Sequence, residues 1–569
     1  MSARAHPGRL AFGLIALAIA AQLPEAWAAP GMRQPFAAGP ATDPDARVHQ
    51  RLIVKLKDAD ASLDAPLRTR NAQLTISSLG NRIGAGIGAG VEEPASMPMA
   101  LHRSIRPGLH VATTGHRLKR AEMQQLIRQL EQDPRVEYAE IDERVYPQAI
   151  PNDPEFPSQW NLQLPSQATG AANLPGAWDF GLGSTASGQG VVVAVLDTGI
   201  LEHQDLSDNL IRQSNRLLGY DFVDDPLKAN DGDGLDDDPR DPGDWLSEAE
   251  ALALGCGSDA TASSWHGTSV AGTIAAVSNN WVGIAGIAPA ARILPVRVFG
   301  KCGGYISDVA SGIYWSVGLQ PPDLPAGSVP RLPEAYRARV INLSLGATEK
   351  GQCSNTMREA VQAARGQGAV VIAAAGNRSG DSTALTQPAN CTGVIAVTAH
   401  TRNGDLADYS NLGGEADLSA PGGGYGRRYL FGDGDLISLL SNTGATVPDR
   451  DSLYQNAGTS FAAAHASGVA ALLLGLDSLL SPGQVGWLLT SSARAYPSAS
   501  YCYARSDCGT GLLDAATAVE LLQDGQVPAT IDEPSVATGG GGGGSSVWYE
   551  LMLLSAALLA RLRRSPKAA

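Results

Sequence analysis

Five short apolar runs, continuous rather than alternating, constrain the fold of this chain more than any other feature. They are VVVAVLD (191–197), RILPVRV (292–298), VINLSL (340–345), AVVIAAAG (369–376) and VIAVTA (394–399). Continuous runs rich in β-branched residues are typical of strands that are buried on both faces of a sheet. Segments with helical patterns alternate with these runs. The sequence therefore predicts an α/β domain, over residues 150–526, with a mostly parallel central sheet and helices on both faces.

A smaller unit precedes this domain. Residues 51–60 alternate between apolar and polar like a half-buried strand, and residues 120–134 have helical periodicity that ends at a proline. Residues 135–147 again have a strand pattern. We expect a small α+β domain within residues 29–149, with a flexible start.

The N-terminus has the three parts of a secretory signal. Arg4 and Arg9 supply positive charge, residues 10–21 are apolar, and Ala26-Trp27-Ala28 is a cleavage-site pattern. Residues 1–28 are therefore predicted to be a signal peptide, and the protein to be secreted. Export makes disulfide bonds permissible.

The C-terminus has a second ordered pattern. A glycine-rich linker (527–546) leads into an apolar stretch within residues 547–569, and the chain ends with Arg561, Arg563, Arg564 and Lys567. This order resembles the glycine-glycine sorting tails of some Gram-negative exported proteins, which a rhomboid-type protease removes at the membrane. The resemblance implies transient attachment to the inner membrane or surface. The alternative is a plain hydrophobic anchor or tail.

Composition limits the possible chemistry. The net charge of −15 argues against nucleic acid as a partner. Only nine histidines and six cysteines are present, and no H-E-x-x-H motif indicates a catalytic zinc.

Three segments carry residues suited to nucleophilic catalysis. Asp197 ends a buried strand, His266 precedes a helix of small residues, and Ser460 opens another such helix. A serine hydroxyl needs a base to remove its proton, and a buried carboxylate holds the histidine base in the required tautomer. A helix N-terminus also favours negative charge that develops at the serine.

These blocks, in the order Asp, His, Ser over residues 152–522, resemble the subtilisin-like serine proteases (subtilases). The resemblance implies a secreted serine endopeptidase, a hydrolase of peptide bonds in proteins and peptides. It makes Asp197 the orienting carboxylate, His266 the base and Ser460 the nucleophile. In AAAGN, Asn377 corresponds to the side chain that stabilises the oxyanion.

The same resemblance implies a substrate cleft. Its primary pocket would lie between two walls, and the segment 298–304 would pair with the substrate backbone. The candidate substrate-binding residues are Ser344, Leu345, Gly346, Ala375, Gly376 and Gly303. The pocket composition favours medium or large apolar side chains. Two positions depart from the family pattern, with Ser269 where a second histidine is usual and Ala464 where a proline is usual.

Residues 29–149 then resemble the inhibitory prodomains of this family. The resemblance implies a zymogen, in which the prodomain assists folding and then blocks the cleft. We expect the enzyme to act as a monomer. Self-cleavage would occur near residues 148–152.

Six cysteines allow 15 pairings. Cys502 and Cys508 are close enough for a local loop. Cys256 precedes the His266 segment and Cys302 lies in the substrate-edge segment, so these two could meet. Cys353 and Cys391 are then left to form the third pair.

Calcium is the expected cofactor, in a structural role. Asp153, Asp205 and either Asn279 or Asn280 resemble the ligands of the family's strong calcium site. A second candidate is the acidic segment 224–244, in which Asp231, Asp233 and Asp237 could supply oxygen ligands. A solvated acidic loop is the alternative for this segment.

Two other classes of function fit the sequence less well than a serine protease. One is a non-catalytic, subtilase-like binding protein, against which the complete set of catalytic residues argues. The other is a lipase or esterase of the α/β-hydrolase fold, which requires a G-x-S-x-G elbow that does not surround Ser460.

Overall fold

A computed structural model describes residues 48–57, 65–83, 98–142, 150–179, 187–347, 351–378, 384–428 and 434–531 of the chain. The predicted signal peptide and C-terminal sorting tail lie outside these residues, and so do residues 148 and 149 of the predicted self-cleavage segment.

A seven-stranded sheet forms the centre of the larger part of the chain. Its strands are β5 (Val192–Asp197), β8 (Tyr220–Asp221), β9 (Arg292–Arg297), β10 (Val340–Leu343), β11 (Val370–Ala374), β12 (Val394–His400) and β13 (Leu418–Pro421). Their order is β13-β12-β11-β10-β5-β9-β8, and every neighbouring pair is parallel. The prediction of a parallel central sheet is confirmed.

Helices cover both faces of this sheet. The helices are α3 (Leu174–Asp179), α4 (Pro226–Ala229), α5 (Glu248–Leu254), α6 (His266–Ala275), α7 (Ile306–Ser316), α8 (Asn355–Gly366), α9 (Thr459–Leu476), α10 (Pro482–Ser491) and α11 (Ala515–Gln523). Helices α6, α9, α10 and α11 pack in one apolar core with Val193 and Val195 of β5. Helices α7 and α8 pack in a second core with Ala194 and Leu196 of the same strand. Alternate residues of β5 thus point into opposite layers, which explains its continuous apolar sequence.

Two short antiparallel pairs lie outside the central sheet. They are β6 (Arg212–Gln213) with β7 (Arg216–Leu217), and β14 (Ile437–Asn442) with β15 (Asp451–Asn456). Strand β15 is largely exposed, and two residues separate its end from the start of α9.

Residues 48–142 form an α+β unit with its own core. Its elements are β1 (Val48–Leu56), α1 (Ala65–Ile83), β2 (Met99–Arg106), β3 (Leu109–Lys119), α2 (Arg120–Glu131) and β4 (Val136–Ile141). The sheet is antiparallel in the order β2-β3-β1-β4. Buried residues of both helices, such as Ile76 and Leu126, pack on Leu52 and Val54 of β1. The sequence predicted β1, α2 and β4 but not α1, β2 or β3.

Helix α9 is the most deeply buried of the long helices. Within the described ranges it is the one helix long and apolar enough to cross a membrane, but 89% of it is buried inside the structure. Its apolar character is explained by its position in the core, between α6 and the central sheet.

All three predicted disulfide pairings are present. The Cα–Cα distances are 5.7 Å for Cys256–Cys302, 5.0 Å for Cys353–Cys391 and 5.9 Å for Cys502–Cys508. These distances are ordinary for disulfide bonds.

Two histidines of the larger unit are fully buried and hydrogen-bonded. His465 Nδ1 donates to the Phe461 carbonyl at 2.7 Å, and Asn161 Nδ2 donates to His465 Nε2 at 2.8 Å. His400 Nε2 donates to the Gly170 carbonyl at 2.7 Å. Burial lowers the pKa of His465 to about 4 and that of His400 to about 3. Both rings are therefore neutral in the folded protein at neutral pH.

We expect these rings to make the fold acid-sensitive. A pKa lower in the folded than in the unfolded chain stabilises the fold fully above about pH 6.5, and this contribution is lost as the pH falls toward the folded pKa. The change His465→Gln should lower the thermal midpoint at pH 8 and should have a smaller effect at pH 5. Calorimetry of both proteins in a Ser460→Ala background, which removes the predicted nucleophile, measures this difference. If the two proteins differ in thermal midpoint by the same amount at pH 8 and at pH 5, this expectation is contradicted.

Candidate active site

The parallel sheet places Asp197 and His266 side by side. Asp197 is the last residue of β5, where its carboxylate is fully buried, and His266 is the first residue of α6. His266 Nδ1 donates to Asp197 Oδ1 at 2.7 Å. The backbone N–H of Thr198 donates to the same oxygen at 2.8 Å. Because Nδ1 carries the proton, the free Nε2 of His266 is the basic nitrogen.

Electrostatics keep His266 basic although it is largely surrounded by protein. Burial lowers its pKa, but the charge of Asp197 and the hydrogen bond to it raise the pKa, and Asp244 and Asp241 add to this effect. The net result is a pKa above the usual histidine value. The ring remains 27% exposed, so it is accessible from solvent.

Ser460 lies in the first turn of α9, the helix that packs against α6. The ring of Phe461, the next residue, has its centroid 6.0 Å from that of His266. The Ser460 hydroxyl donates to the carbonyl of Ser344 at 3.2 Å. Proton transfer to His266 would require this hydroxyl to turn from the Ser344 carbonyl, a change that is common between free and substrate-bound enzymes.

A chain of buried hydrogen bonds fixes the backbone of Ser460 against β10. Ser344 Oγ donates to the Ser460 carbonyl at 2.8 Å, and Asn342 Nδ2 donates to Ser344 Oγ at 2.9 Å. Ser467 Oγ, two turns along α9, donates to Asn342 Oδ1 at 2.9 Å. The helix is thus tied to the sheet at two points. The sequence analysis did not identify Asn342 or Ser467, because only tertiary structure brings them together.

Asn377 is held so that its amide nitrogen is left available. Its Oδ1 accepts from both the N–H and the hydroxyl of Thr459, at 2.9 Å and 2.7 Å. These two donors fix which side of the amide is oxygen, so Nδ2 is the remaining donor group. Asn377 is exposed, and it follows β11 directly opposite the start of α9. Thr459, which the sequence analysis missed, therefore orients this side chain.

The predicted pocket walls follow β10 and β11. Ser344, Leu345 and Ala375 are buried, whereas Gly346 is exposed. A Cβ added at Gly346 would lie 3.2 Å from the hydroxyl oxygen of the buried Thr386. Gly376, between Ala375 and Asn377, donates its N–H to Thr459 Oγ1 at 3.2 Å.

The predicted substrate-edge segment forms a tight turn. Gly300 and Gly303 exchange backbone hydrogen bonds of 3.2 Å and 3.1 Å, and the space beside Gly303 is open. Lys301 in this turn is buried, and its Nζ donates to Glu250 Oε1 at 2.6 Å and lies 3.9 Å from the ring centroid of Trp245. The disulfide through Cys302 adds a covalent tether to the same turn.

The two departures from the family pattern are both buried. Ser269 Oγ donates to the Leu440 carbonyl of β14 at 2.7 Å, so it links α6 to that strand. Ala464 is fully buried in the core on α9. Among the described residues, no side-chain hydrogen bond joins either residue to Asp197, His266 or Ser460.

The first predicted calcium site has a donor set that fits a cation. Asp153 and Asp205 are both buried, and Asp153 Oδ1 has no hydrogen-bond partner among the described residues. Asp205 accepts from Asn280 Nδ2 at 2.7 Å and from the Ile284 N–H at 2.9 Å. Asn279 donates its N–H to Asp153 Oδ2 at 2.9 Å. Burial, with Asp153 nearby, raises the pKa of Asp205 to about 7, which is the electrostatic cost that a bound cation would remove.

The second predicted calcium site does not fit. Asp231 accepts a hydrogen bond from Arg297 Nη1 at 2.8 Å, and Asp237 forms an ion pair of 3.3 Å with Arg216. Two of the three proposed ligands thus already have a cationic partner, while Asp233 is exposed. Among the described residues, no group of three or more His, Cys, Asp or Glu side chains is arranged to hold a metal. This arrangement supports the alternative of a solvated acidic loop for the exposed part of the segment.

Comparison with known proteins places this geometry in a family context. A model of the Subtilase family matches residues 188–518. An extracellular protease of Xanthomonas campestris pv. campestris is 38% identical over 482 residues, which are 84% of this chain and 74% of that protein. An extracellular basic protease of Dichelobacter nodosus is 36% identical over 488 residues, covering 84% and 71% respectively. A solved structure of a protease from Pseudoalteromonas arctica has 44% identity and a TM-score of 0.56, and it covers 65% of this chain and 98% of that one.

Proposed function

Since the chain belongs to the subtilase family and is a subtilisin-like serine protease, we propose that it hydrolyses peptide bonds through Asp197, His266 and Ser460. The observation that carries this proposal is the hydrogen bond of 2.7 Å from His266 to the buried Asp197. Ser460 lies in the first turn of α9, and the ring of the next residue, Phe461, has its centroid 6.0 Å from that of His266. The extracellular relatives support secretion. The intact set of groups argues against a non-catalytic binding protein.

In the first step, Ser460 Oγ bonds to the substrate carbonyl carbon while His266 Nε2 takes the hydroxyl proton. The protonated ring then gives this proton to the leaving amine, and the peptide C–N bond breaks. Asp197 stabilises the charged ring without accepting a proton. Water attacks the acyl-enzyme by the same route, releases the carboxylate product and restores Ser460.

Asn377 Nδ2 and the N–H of Ser460 are proposed to stabilise the oxyanion. Donors that are already in place when charge develops cost no reorganisation during the reaction. The bonds from Thr459 to Asn377 Oδ1 provide this preorganisation.

The primary pocket is proposed to lie between the walls Ser344–Gly346 and Ala375–Gly376, with Thr386 across from Gly346. None of these residues carries a charge, so the pocket suits medium or large apolar side chains. Gly303 lies in the turn that is proposed to pair with the substrate backbone.

The unit of residues 48–142 is proposed to be an inhibitory prodomain within residues 29–149. Its separate core supports the view that it folds as a unit of its own. A parallel sheet with many non-local pairings folds slowly, so an attached folding aid has a physical rationale. The catalytic unit, residues 150–526, is proposed to act as a monomer after release. Residues 527–569 stay predicted as a linker and sorting tail, cut by a rhomboid-type protease.

Calcium is proposed as a structural cofactor held by Asp153 and Asp205, with oxygens of the segment 279–284. It would neutralise two buried carboxylates and so stabilise the N-terminal start of the catalytic unit against β5 and α6. No step of the reaction requires it.

The change Ser460→Ala should abolish peptide hydrolysis and leave residues 29–149 attached. A fluorophosphonate probe should label the unaltered protein but not this variant, because the probe reacts with an activated serine. The matched control is Ser498→Ala, an exposed serine of the same unit. Labelling, peptide hydrolysis and intact mass check the expectation. A Ser460→Ala protein that still matures without added protease would contradict self-processing, and labelling of that variant would contradict the nucleophile.

The change Asn377→Ala should lower kcat by roughly 10²–10³-fold, because one oxyanion donor is lost. KM and the thermal midpoint should change little, since the side chain is exposed and its bonds are to Thr459. Steady-state kinetics on a peptide substrate measure the effect. An unaltered kcat would mean that Asn377 does not contact the oxyanion.

Removal of calcium should lower the thermal midpoint, because an ion that binds only the folded state stabilises it by mass action. Melting of the Ser460→Ala protein with and without a chelator avoids interference from self-digestion. The variant Asp205→Asn should melt at a lower temperature and should respond less to the chelator. If the chelator does not change the thermal midpoint of the Ser460→Ala protein that retains Asp205, the calcium proposal is rejected.

A further inference from the structure

One aspartate of the acidic segment lies beside the catalytic pair instead of in solvent. Asp241 is buried, and its Oδ2 accepts from the hydroxyl of Thr198 at 2.6 Å. Its Oδ1 accepts from the N–H of Gly243 at 2.9 Å. Thr198 is the residue that directly follows Asp197. A segment for which the sequence suggested either a calcium site or a solvated acidic loop therefore reaches the catalytic carboxylate through a single residue, Thr198.

The backbone of the acidic segment lies close to the backbone of the turn that follows β5. Asp241 donates its N–H to the Ile200 carbonyl at 3.1 Å, and Ile200 donates its N–H to the Pro239 carbonyl at 3.0 Å. Gly199 has a φ of +108°, and a Cβ there would lie 2.9 Å from the backbone nitrogen of Asp241. The glycine in the Asp-Thr-Gly sequence is thus required for the acidic segment to pack against the turn after β5.

Thr198 connects Asp241 to both members of the catalytic pair. Its N–H donates to Asp197 Oδ1 at 2.8 Å, and its hydroxyl oxygen accepts from the N–H of Gly267 at 3.1 Å. Gly267 is the residue after His266, in the first turn of α6. Asp197 Oδ2 is buried and has no hydrogen-bond partner among the described residues. The position of the catalytic carboxylate therefore depends strongly on Thr198.

The hydroxyl proton of Thr198 needs a hydrogen-bond acceptor. Because the oxygen already accepts from Gly267, the proton is free to be donated, and Asp241 Oδ2 is the acceptor at 2.6 Å. An ionised carboxylate accepts at both oxygens, which matches the two donors Thr198 and Gly243. The arrangement thus suits the charged form of Asp241.

Charged side chains lie near both His266 and Asp241. Asp197, Asp241 and Asp244 act on His266, and Asp244 and Arg297 act on Asp241. Asp244 accepts from the N–H and hydroxyl of Ser264 at 2.6 Å and 2.8 Å, two residues before His266. Arg297 Nε donates to the Thr198 carbonyl at 3.2 Å. The acidic segment therefore holds the chain on both sides of the catalytic pair.

We propose that Asp241 is a positioning residue, which acts through the Thr198 hydroxyl to hold Asp197 and α6 in register and, by its negative charge, to favour the protonated form of His266. This proposal rests on the proposed function, in which Asp197 and His266 act on Ser460. Asp241 itself touches neither substrate nor the reacting atoms.

Protonation of Asp241 should weaken this arrangement. Burial raises its pKa to about 7, although the hydrogen bonds from Thr198 and Gly243 and the charge of Arg297 act in the opposite direction. As the pH falls through this range, Asp241 becomes neutral and the Thr198 hydroxyl loses a charged acceptor. His266, whose pKa lies above the usual histidine value, also becomes protonated as the pH falls, so both groups contribute to the loss of activity at acidic pH.

The test is the pH profile of kcat and kcat/KM for Asp241→Asn, which removes the charge and keeps the shape. We expect kcat to fall by ~10-fold or more, since small displacements of catalytic groups cost up to ~10²-fold. KM should change little. The acidic limb of kcat/KM should be less steep and should move to lower pH by less than ~1 unit, because a negative charge near His266 is lost. The matched control is Asp224→Asn, an exposed carboxylate at the start of the same segment, which should leave both profiles unchanged.

A second pair of variants isolates the hydroxyl. Thr198→Ser keeps the donor to Asp241 and should retain most of the activity, whereas Thr198→Val should lose activity as Asp241→Asn does. The double variant Thr198→Val/Asp241→Asn should be no worse than the single variants, since both remove the same interaction. If Asp241→Asn does not fold, the comparison of Thr198→Ser with Thr198→Val still decides.

The outcomes separate this inference from the proposed function. If fluorophosphonate fails to label Ser460 in the unaltered protein, the proposed catalytic function fails. If Ser460 is labelled but Asp241→Asn keeps the unaltered kcat and acidic limb, the positioning role is overturned. Equal activity of the two Thr198 variants would overturn it as well.

Discussion

The close packing of α9 against the central sheet is the constraint on which the candidate active site depends. Small residues line this helix, and at Gly468 an added Cβ would lie 2.5 Å from the side chain of Ile287. Such an approach leaves no room for a shift of the helix along its axis. The bonds from Ser344 and Ser467 to their partners then fix its rotation. Ser460 therefore has a defined position because the helix that carries it cannot move independently of β10.

The parallel sheet could be predicted from the sequence because its strands are buried on both faces. The five apolar runs correspond to β5, β9, β10, β11 and β12, nearly residue for residue. The two outer strands were not predicted. Strand β8 has two residues and β13 has four, which is too short for a periodic signal. In the N-terminal unit, α1 and the hairpin of β2 and β3 were missed for a related reason, since β2 is mostly exposed and its apolar pattern is weak.

The main residues of the candidate site could also be predicted, but their supports could not. Asp197, His266, Asn377 and Ser460 stand in short blocks of recognisable sequence. Thr459, Asn342 and Asp241 act through hydrogen bonds to residues 82, 125 and 43 positions away, respectively. No local pattern encodes contacts over such separations. The acidic segment shows the same limit, because its composition suggested a cation site whereas its tertiary contacts are with Arg297, Arg216 and Thr198.

The positions of the disulfides affect how a protease tolerates a cut in its own backbone. His266 lies inside the loop closed by Cys256 and Cys302, and Asn377 lies inside the loop closed by Cys353 and Cys391. A single backbone cut within either loop would leave the two ends joined through sulfur. A molecule cut once within either loop would thus keep the segments that carry His266 and Asn377 attached. Cleavage by another copy would then have to occur outside these loops, or twice within one of them, before the segment carrying His266 or Asn377 is detached.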